Sequence, residues 1–256
     1  MSFISNSSEV SRSGVEIARD FRDNLIIDRY DPIFADMRAS KIKHLRSANS
    51  EDAVSWNVFR TLRQIAPAHW LPHLWARAFP ESEQPSLRNV TVDLWVSVAP
   101  PPSLLLLGDE GESEVDILIE APDWVWFIEA KYGSDISLGT TTRPDRDQLL
   151  RNIDVGSYYA GVRPFYCSLL SIAEQRSPQG AAMVRRYSDF ALLRERLHGH
   201  RPDGLPNLKA IGSIVWSDLA DVLSAAHDLA ERHDEREYAK RAVEWLAGKG
   251  IVRHGV

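Results

Sequence analysis

Residues 112–135 read ESEVDILIEAPDWVWFIEAKYGSD. The stretch holds two apolar runs. Val115–Ile119 carries Asp116, and Trp124–Tyr132 contains Glu129-Ala130-Lys131. Runs of this length, rich in Val, Ile and aromatic residues and bounded by Gly, Pro and Asp, have the pattern of strands. Pro122-Asp123 between them is a tight connection, so the two runs form a β-hairpin. Side chains alternate across a strand, which sets Glu129 and Lys131 on one face and Ala130 on the other. A carboxylate and an ammonium at the end of a largely apolar strand are costly unless something requires them there. Asp116 on the neighbouring strand adds a second carboxylate. Two hard oxygen donors on adjacent strands suit Mg²⁺ or Mn²⁺, with the other coordination positions left for water and phosphate. A lysine beside such an ion can orient an attacking water and offset charge on the phosphate.

An acid-x-Lys triplet is common, and its bland meaning is a surface ion pair at a strand end. In this chain it stands out more. There are six lysines, at 41, 43, 131, 209, 240 and 249, against 24 arginines. Of these lysines, Lys131 alone has an acid two residues before it.

The arrangement of Asp116, a strand, then Glu129-Ala130-Lys131 resembles the PD-(D/E)xK nuclease superfamily, the restriction-endonuclease-like fold. The resemblance implies an α/β fold with an αβββαβ core, a central mixed sheet flanked by helices, and helical additions at both ends. It implies that Asp116 and Glu129 bind the metal and that Lys131 serves the water. The Ala130 carbonyl would be a further ligand. Val115 stands where the family has its nominal Pro, which is a departure.

Two flanking helices extend the resemblance. Ser50 is a good N-cap, and Glu51-Asp52 place negative charge in the first helical turn, where the dipole favours it. Val54, Val58, Phe59, Leu62 and Ile65 make the apolar stripe, and Glu51 lies in line with it. SEDAVSWNVFRTL looks like the first helix of the superfamily, which makes Glu51 the third metal-side carboxylate. Charge complementing the dipole explains the same acids without a site. On the other side of the hairpin, Tyr132–Thr142 is a polar, Gly-bearing loop. Pro144 is expected to open a helix through residue 160. Leu149, Ile153 and Gly156 share one side of it, and Gln148, Arg151, Asn152 and Val155 another. Gln148 resembles the family's water- or phosphate-positioning residue. Arg151, near it on the same side, suits a bidentate phosphate contact.

The remaining chain supplies context. Residues 1–12 are Ser-rich and expected to be a flexible tail, followed by one domain over 13–256. Helices are expected over Val15–Ile27 and Ile33–Leu45, the second carrying the basic group Arg38, Lys41, Lys43, His44 and Arg46. WLPHLWARAF at 70–79 has the composition of core. His69 and His73 have metal-pair spacing, but Pro67 and Pro72 interrupt a helix there, and no zinc set completes them. Asn89–Val98 alternates as a strand with Asp93 on its polar face. Leu104–Leu107 is expected as a short strand or buried turn. Pro164–Leu170 is expected as a buried central strand and 178–199 as helix bearing Arg185-Arg186. Leu208–Trp216 closes the strand set, with Ser217 capping the first of two C-terminal helices that cover the sheet or form a dimer surface.

The 256 residues are 44% hydrophobic and 26% charged, with net charge −6 and pI about 5.8. Any nucleic-acid contact must therefore come from a local patch. The single cysteine, Cys167, excludes an internal disulfide framework and fits a reducing cytosol. MSFISNSSEVSRSG lacks a secretory pattern, and no run is long enough to span a bilayer, so the expectation is cytoplasmic with no membrane partner. GxxxxGK[ST], GxGxxG and GxSxG are absent. The resulting expectation is an Mg²⁺- or Mn²⁺-dependent nuclease acting on DNA, with bacterial defence or restriction as the role by analogy and homodimerisation as an option. The alternative is a catalytically inactive scaffold of the same fold that binds nucleic acid or a protein.

Overall fold

The computed structural model describes residues 8–105, 110–139 and 144–251. Along the chain come β1 (Glu9–Val10), β2 (Glu16–Ile17), α1 (Ala39–Leu45), α2 (Glu51–Arg63), α3 (Leu71–Ala78), β3 (Thr91–Val98) and α4 (Pro102–Leu105). Then follow β4 (Ser113–Ala121), β5 (Trp124–Ala130), α5 (Gln148–Ala160), β6 (Phe165–Ser171), α6 (Pro178–Ser188), α7 (Phe190–Leu197), β7 (Leu208–Val215), α8 (Trp216–Leu229) and α9 (His233–Gly248). The described residues form two compact units, one within 1–70 and 216–256, the other within 71–215.

The second unit carries a five-stranded mixed sheet in the order β3-β4-β5-β6-β7. β3, β4 and β5 are an antiparallel meander, and β5, β6 and β7 run parallel. The expected hairpin is present, with Ala121 opposite Trp124 across the Pro122-Asp123 turn. Every residue of β5 is buried, because both faces of this strand are covered. On one face, Phe127 meets Tyr159 of α5 and Phe165 of β6. On the other, Trp126 meets Trp75 of α3 and Phe79 just after it. The core reading of 70–79 holds, since Trp70, Leu71, Leu74, Trp75 and Phe79 are all buried. Pro72 does not prevent α3, because a proline in a first helical turn removes no intrahelical bond. β6 is an interior, largely buried strand between β5 and β7, while the middle strand of the sheet is β5.

Helix α5 packs so closely on the sheet that a Cβ at Gly156 would overlap the Phe165 ring. It begins at Gln148 rather than Pro144. Asp147 caps it, its Oδ1 accepting from the Leu150 N–H at 2.9 Å, and Pro144-Asp145 is left as a turn. The side read as polar is also partly inward, with Asn152 and Val155 buried.

The expected helix over 178–199 is two helices, because Asp189 leaves the helical conformation and caps α7 through Ala191 and Leu192. β7 passes directly into α8 at Trp216, so Ser217 lies inside the first turn. Pro102–Leu105 is a helical turn, and Leu106 and Leu107 lie outside the described residues.

In the first unit the helix expected over 15–27 is not formed. Glu16–Ile17 pairs with Glu9–Val10 instead, and Phe21–Asn24 is a 3₁₀ turn. The Ile26 N–H bonds Asn57 Oδ1 on α2, while Asn57 Nδ2 donates to the Asn24 carbonyl. Tertiary hydrogen bonds thus replace the helical ladder. The second expected helix is shortened to α1, preceded by a 3₁₀ turn over Pro32–Ala35. Helices α8 and α9 pack together, and α9 packs on α2. Residues 8–12 are placed by the β1–β2 ladder, and the first seven of the expected flexible tail lie outside the described residues. Among the described residues, no helix is long and apolar enough to cross a membrane.

Candidate functional site

Across β4 and β5 the ladder pairs Ile117 with Ile128. The next positions in that register are Asp116 and Glu129, whose side chains share the α5-covered face with Leu118 and Phe127. The carboxylate of Asp116 takes over part of the pairing, with Oδ2 accepting the Ala130 N–H at 2.9 Å. On its other side Asp116 lies opposite Trp95, a position skipped between the Leu94–Ile117 and Val96–Val115 pairs. Trp95 has φ +57°, a conformation that costs an aromatic residue on the order of 1–3 kcal/mol. The β3 strand is therefore locally irregular opposite Asp116.

Glu129 is fully buried. Its Oε1 accepts from Lys131 Nζ at 2.5 Å and its Oε2 from Asn152 Nδ2 at 2.5 Å. Lys131 Nζ also donates to the Ala130 carbonyl at 3.1 Å, while the Lys131 N–H bonds the Leu170 carbonyl on β6 at 2.7 Å. Burial first, then the nearby Asp116 charge, hold the Glu129 carboxyl well above the usual carboxylate range; Lys131 pulls the other way and does not cancel them.

Of the expected site residues, Asp116, Glu129, Ala130 and Lys131 are thus together. Gln148 lies at the first position of α5, bound to Ser137 through its N–H at 2.9 Å and more weakly through Oε1 at 3.4 Å. It is Asn152, one turn further on, that reaches Glu129. Arg151 pairs with Glu110 at 2.6 Å and contacts Ser113 Oγ at 3.3 Å. Glu51 sits in the first turn of α2, half-buried, after a Ser50 cap whose Oγ accepts the Ala53 N–H at 3.1 Å. Glu51 belongs to the first unit. Among the described residues, no group of three or more His, Cys, Asp or Glu side chains is gathered as a metal cluster.

Two features escape a sequence reading. Asn152 reads on the same helix side as Gln148, and that i, i+4 spacing is the signal that could have nominated it. The second is a buried charge network. Arg146 bridges Glu110 and Asp154, each at 2.9 Å, and Asp154 also takes His200 at 2.6 Å and Arg201 at 3.0 Å. Nothing in the spacing of these five residues announced it.

The loop after Lys131 is tied down by Asp135. Its carboxylate accepts from Ser177 Oγ at 2.5 Å and from the Gln179 and Gly180 N–H groups at 2.9 and 3.0 Å. The carboxylate that holds this loop thereby also satisfies the open amides at the start of α6.

No family model matches the chain, and no curated protein matches it. Among solved structures, one titled as a protein of unknown function, AF1548, aligns over 76% of this chain and 98% of its own at 16% identity, with a TM-score of 0.26.

Proposed function

We propose that this chain is a metal-dependent nuclease of the PD-(D/E)xK type, with a restriction-endonuclease-like core, that hydrolyses phosphodiester bonds, DNA foremost. The observation that carries the reading is the Asp116–Glu129–Lys131 constellation, on β4, on β5 and just past the end of β5. The order α2, β3, β4, β5, α5, β6, with α3 and α4 interposed and β6 parallel to β5, supports it as that of an αβββαβ core.

The donor set fits a divalent cation. Two carboxylates and a backbone carbonyl are hard oxygen donors of the kind Mg²⁺ and Mn²⁺ take, and an ammonium already lies against two of them. In this reading Asp116, Glu129 and the Ala130 carbonyl hold the ion. When bound, it would polarise the phosphoryl group and acidify water.

The remaining tasks fall to the chain itself. The Ala130 N–H fixes the direction of Asp116, and Asn152 fixes that of Glu129. Lys131 orients the attacking water and offsets charge developing on the phosphate. Burial of Glu129 and Lys131 keeps bulk water from weakening these contacts. Gln148 and Arg151 are the phosphate-side groups, and Arg151 has to leave Glu110 to meet a phosphate. The resemblance gives Glu51 a metal-side role, which Glu51→Gln tests in the assay below.

The test is cleavage of plasmid, linear and single-stranded DNA and of RNA, with Mg²⁺ or Mn²⁺, using EDTA and Lys131→Ala as controls. Cutting that requires metal and is lost in Lys131→Ala is the expected outcome. Bound metal without cutting of any substrate points to a missing partner or activator, and no cutting with no metal binding favours the non-cutting scaffold.

A further inference from the structure

We infer that the Lys131 ammonium occupies the cation position of this site, so that a divalent ion and Lys131 exclude one another from it. The inference rests on the metal-site reading above and deepens it. Lys131 Nζ lies 2.5 Å from Glu129 Oε1 and 3.1 Å from the Ala130 carbonyl oxygen. These are two of the oxygens assigned to the ion. A single ammonium therefore sits where both point, as a built-in stand-in for a metal.

The need for a stand-in follows from burial. Glu129 is fully buried and Asp116 adds negative charge beside it. An uncompensated carboxylate in such a place is strongly unfavourable. Asn152 gives one Glu129 oxygen a neutral donor, and Lys131 brings positive charge to the other. Two cations on the same oxygens would repel strongly in this water-poor setting. Entry of an ion thus requires the ammonium to leave Glu129 Oε1 and the Ala130 carbonyl. The four-carbon stem makes that displacement a matter of side-chain rotation, with the backbone still held by the Lys131 N–H bond to Leu170. Lys131 then has two stations: counter-ion of the metal-free site, and water-side group of the loaded one. The lysine sets a threshold for loading, since the ion must outcompete it.

The experiment is calorimetric titration of the full chain with Mn²⁺ at pH 8, without nucleic acid, for wild type, Lys131→Met, Lys131→Gln and Glu129→Gln. Both lysine variants are expected to bind Mn²⁺ roughly tenfold more tightly than wild type, a factor usual for coupled binding equilibria. Glu129→Gln is expected to lose binding. If wild type binds Mn²⁺ and Glu129→Gln does not, but the lysine variants bind equally or more weakly, the displacement is overturned while the metal site stands. If no protein binds Mn²⁺, the metal site itself fails and the inference with it. A second measurement uses wild type alone, so it does not depend on variants folding. Acetylation of Lys131 by dilute acetic anhydride, followed by peptide mass spectrometry, is expected to rise severalfold on Mn²⁺ loading. An unchanged rate with Mn²⁺ bound overturns the displacement.

Discussion

Asn152 reaches from helix α5 to strand β5, where its Nδ2 lies 2.5 Å from Glu129 Oε2. The bond joins the helix that covers the sheet to the carboxylate at the centre of the candidate site. Asn152 is itself buried, so water does not easily replace it.

Asn152→Ala leaves a buried carboxylate oxygen without that donor. The expected loss is about 1–3 kcal/mol, the usual cost of an unsatisfied buried polar group. Urea denaturation monitored by circular dichroism measures it, and a stability equal to wild type would remove Asn152 from the positioning role.

Asp154 tests the charge network. Burial pushes its carboxyl up, but the His200 hydrogen bond and the charges of Arg146, His200 and Arg201 outweigh that, and the net position is below the ordinary value. A lowered folded value means stability that is present above the unfolded value and lost as pH falls through the folded one. Asp154→Asn is expected to cost about 3–5 kcal/mol at neutral pH, as for breaking a buried ion pair. Its deficit should shrink in acid, below the ordinary Asp range. A deficit independent of pH down to acid denaturation would contradict this assignment.

Glu129 has the opposite sign. Its folded value is raised, so the folded chain holds the proton more tightly than the unfolded one. That contribution is full below the unfolded value near 4.5 and is lost as pH rises through the folded value. Glu129→Gln should therefore gain on wild type in melting temperature as pH is raised from about 4.5, the ordinary value of the group, in EDTA. A gap that narrows over the same range would refute the raised value.

Gly156→Ala tests the contact between α5 and the sheet. The added methyl would meet the Phe165 ring and come within 2.8 Å of Phe127. Overpacking of this kind costs about 1–3 kcal/mol. Because Asn152 lies one turn away on the same helix, metal affinity should fall along with stability. Thermal melts and Mn²⁺ titration read the two effects separately.

The hairpin was legible in the sequence because alternation and a Pro-Asp turn act over neighbouring residues. Glu129 and Lys131 fall on one face for the same local reason, strand period two, while the face of Asp116 follows from the cross-strand register. The start of α5 was misread because Pro144 and Asp147 are both good helix openers, and the choice rests on what the preceding loop binds. The shared side of Gln148 and Asn152 was legible, but which of the two reaches Glu129 depends on how α5 sits along β5. The segment 15–27 was misread because Asn57, far along the chain, claims its backbone groups.

The sequence by itself determined the strands, the turn between them and the common face of Glu129 and Lys131, since period and turn chemistry are local properties of the chain. Only the tertiary structure decided that Lys131 and Asn152 divide the oxygens of Glu129, and that Arg146, Glu110, Asp154, His200 and Arg201 form one network. Those arrangements depend on which elements pack together, and a buried charge takes whatever partner the packing brings within reach.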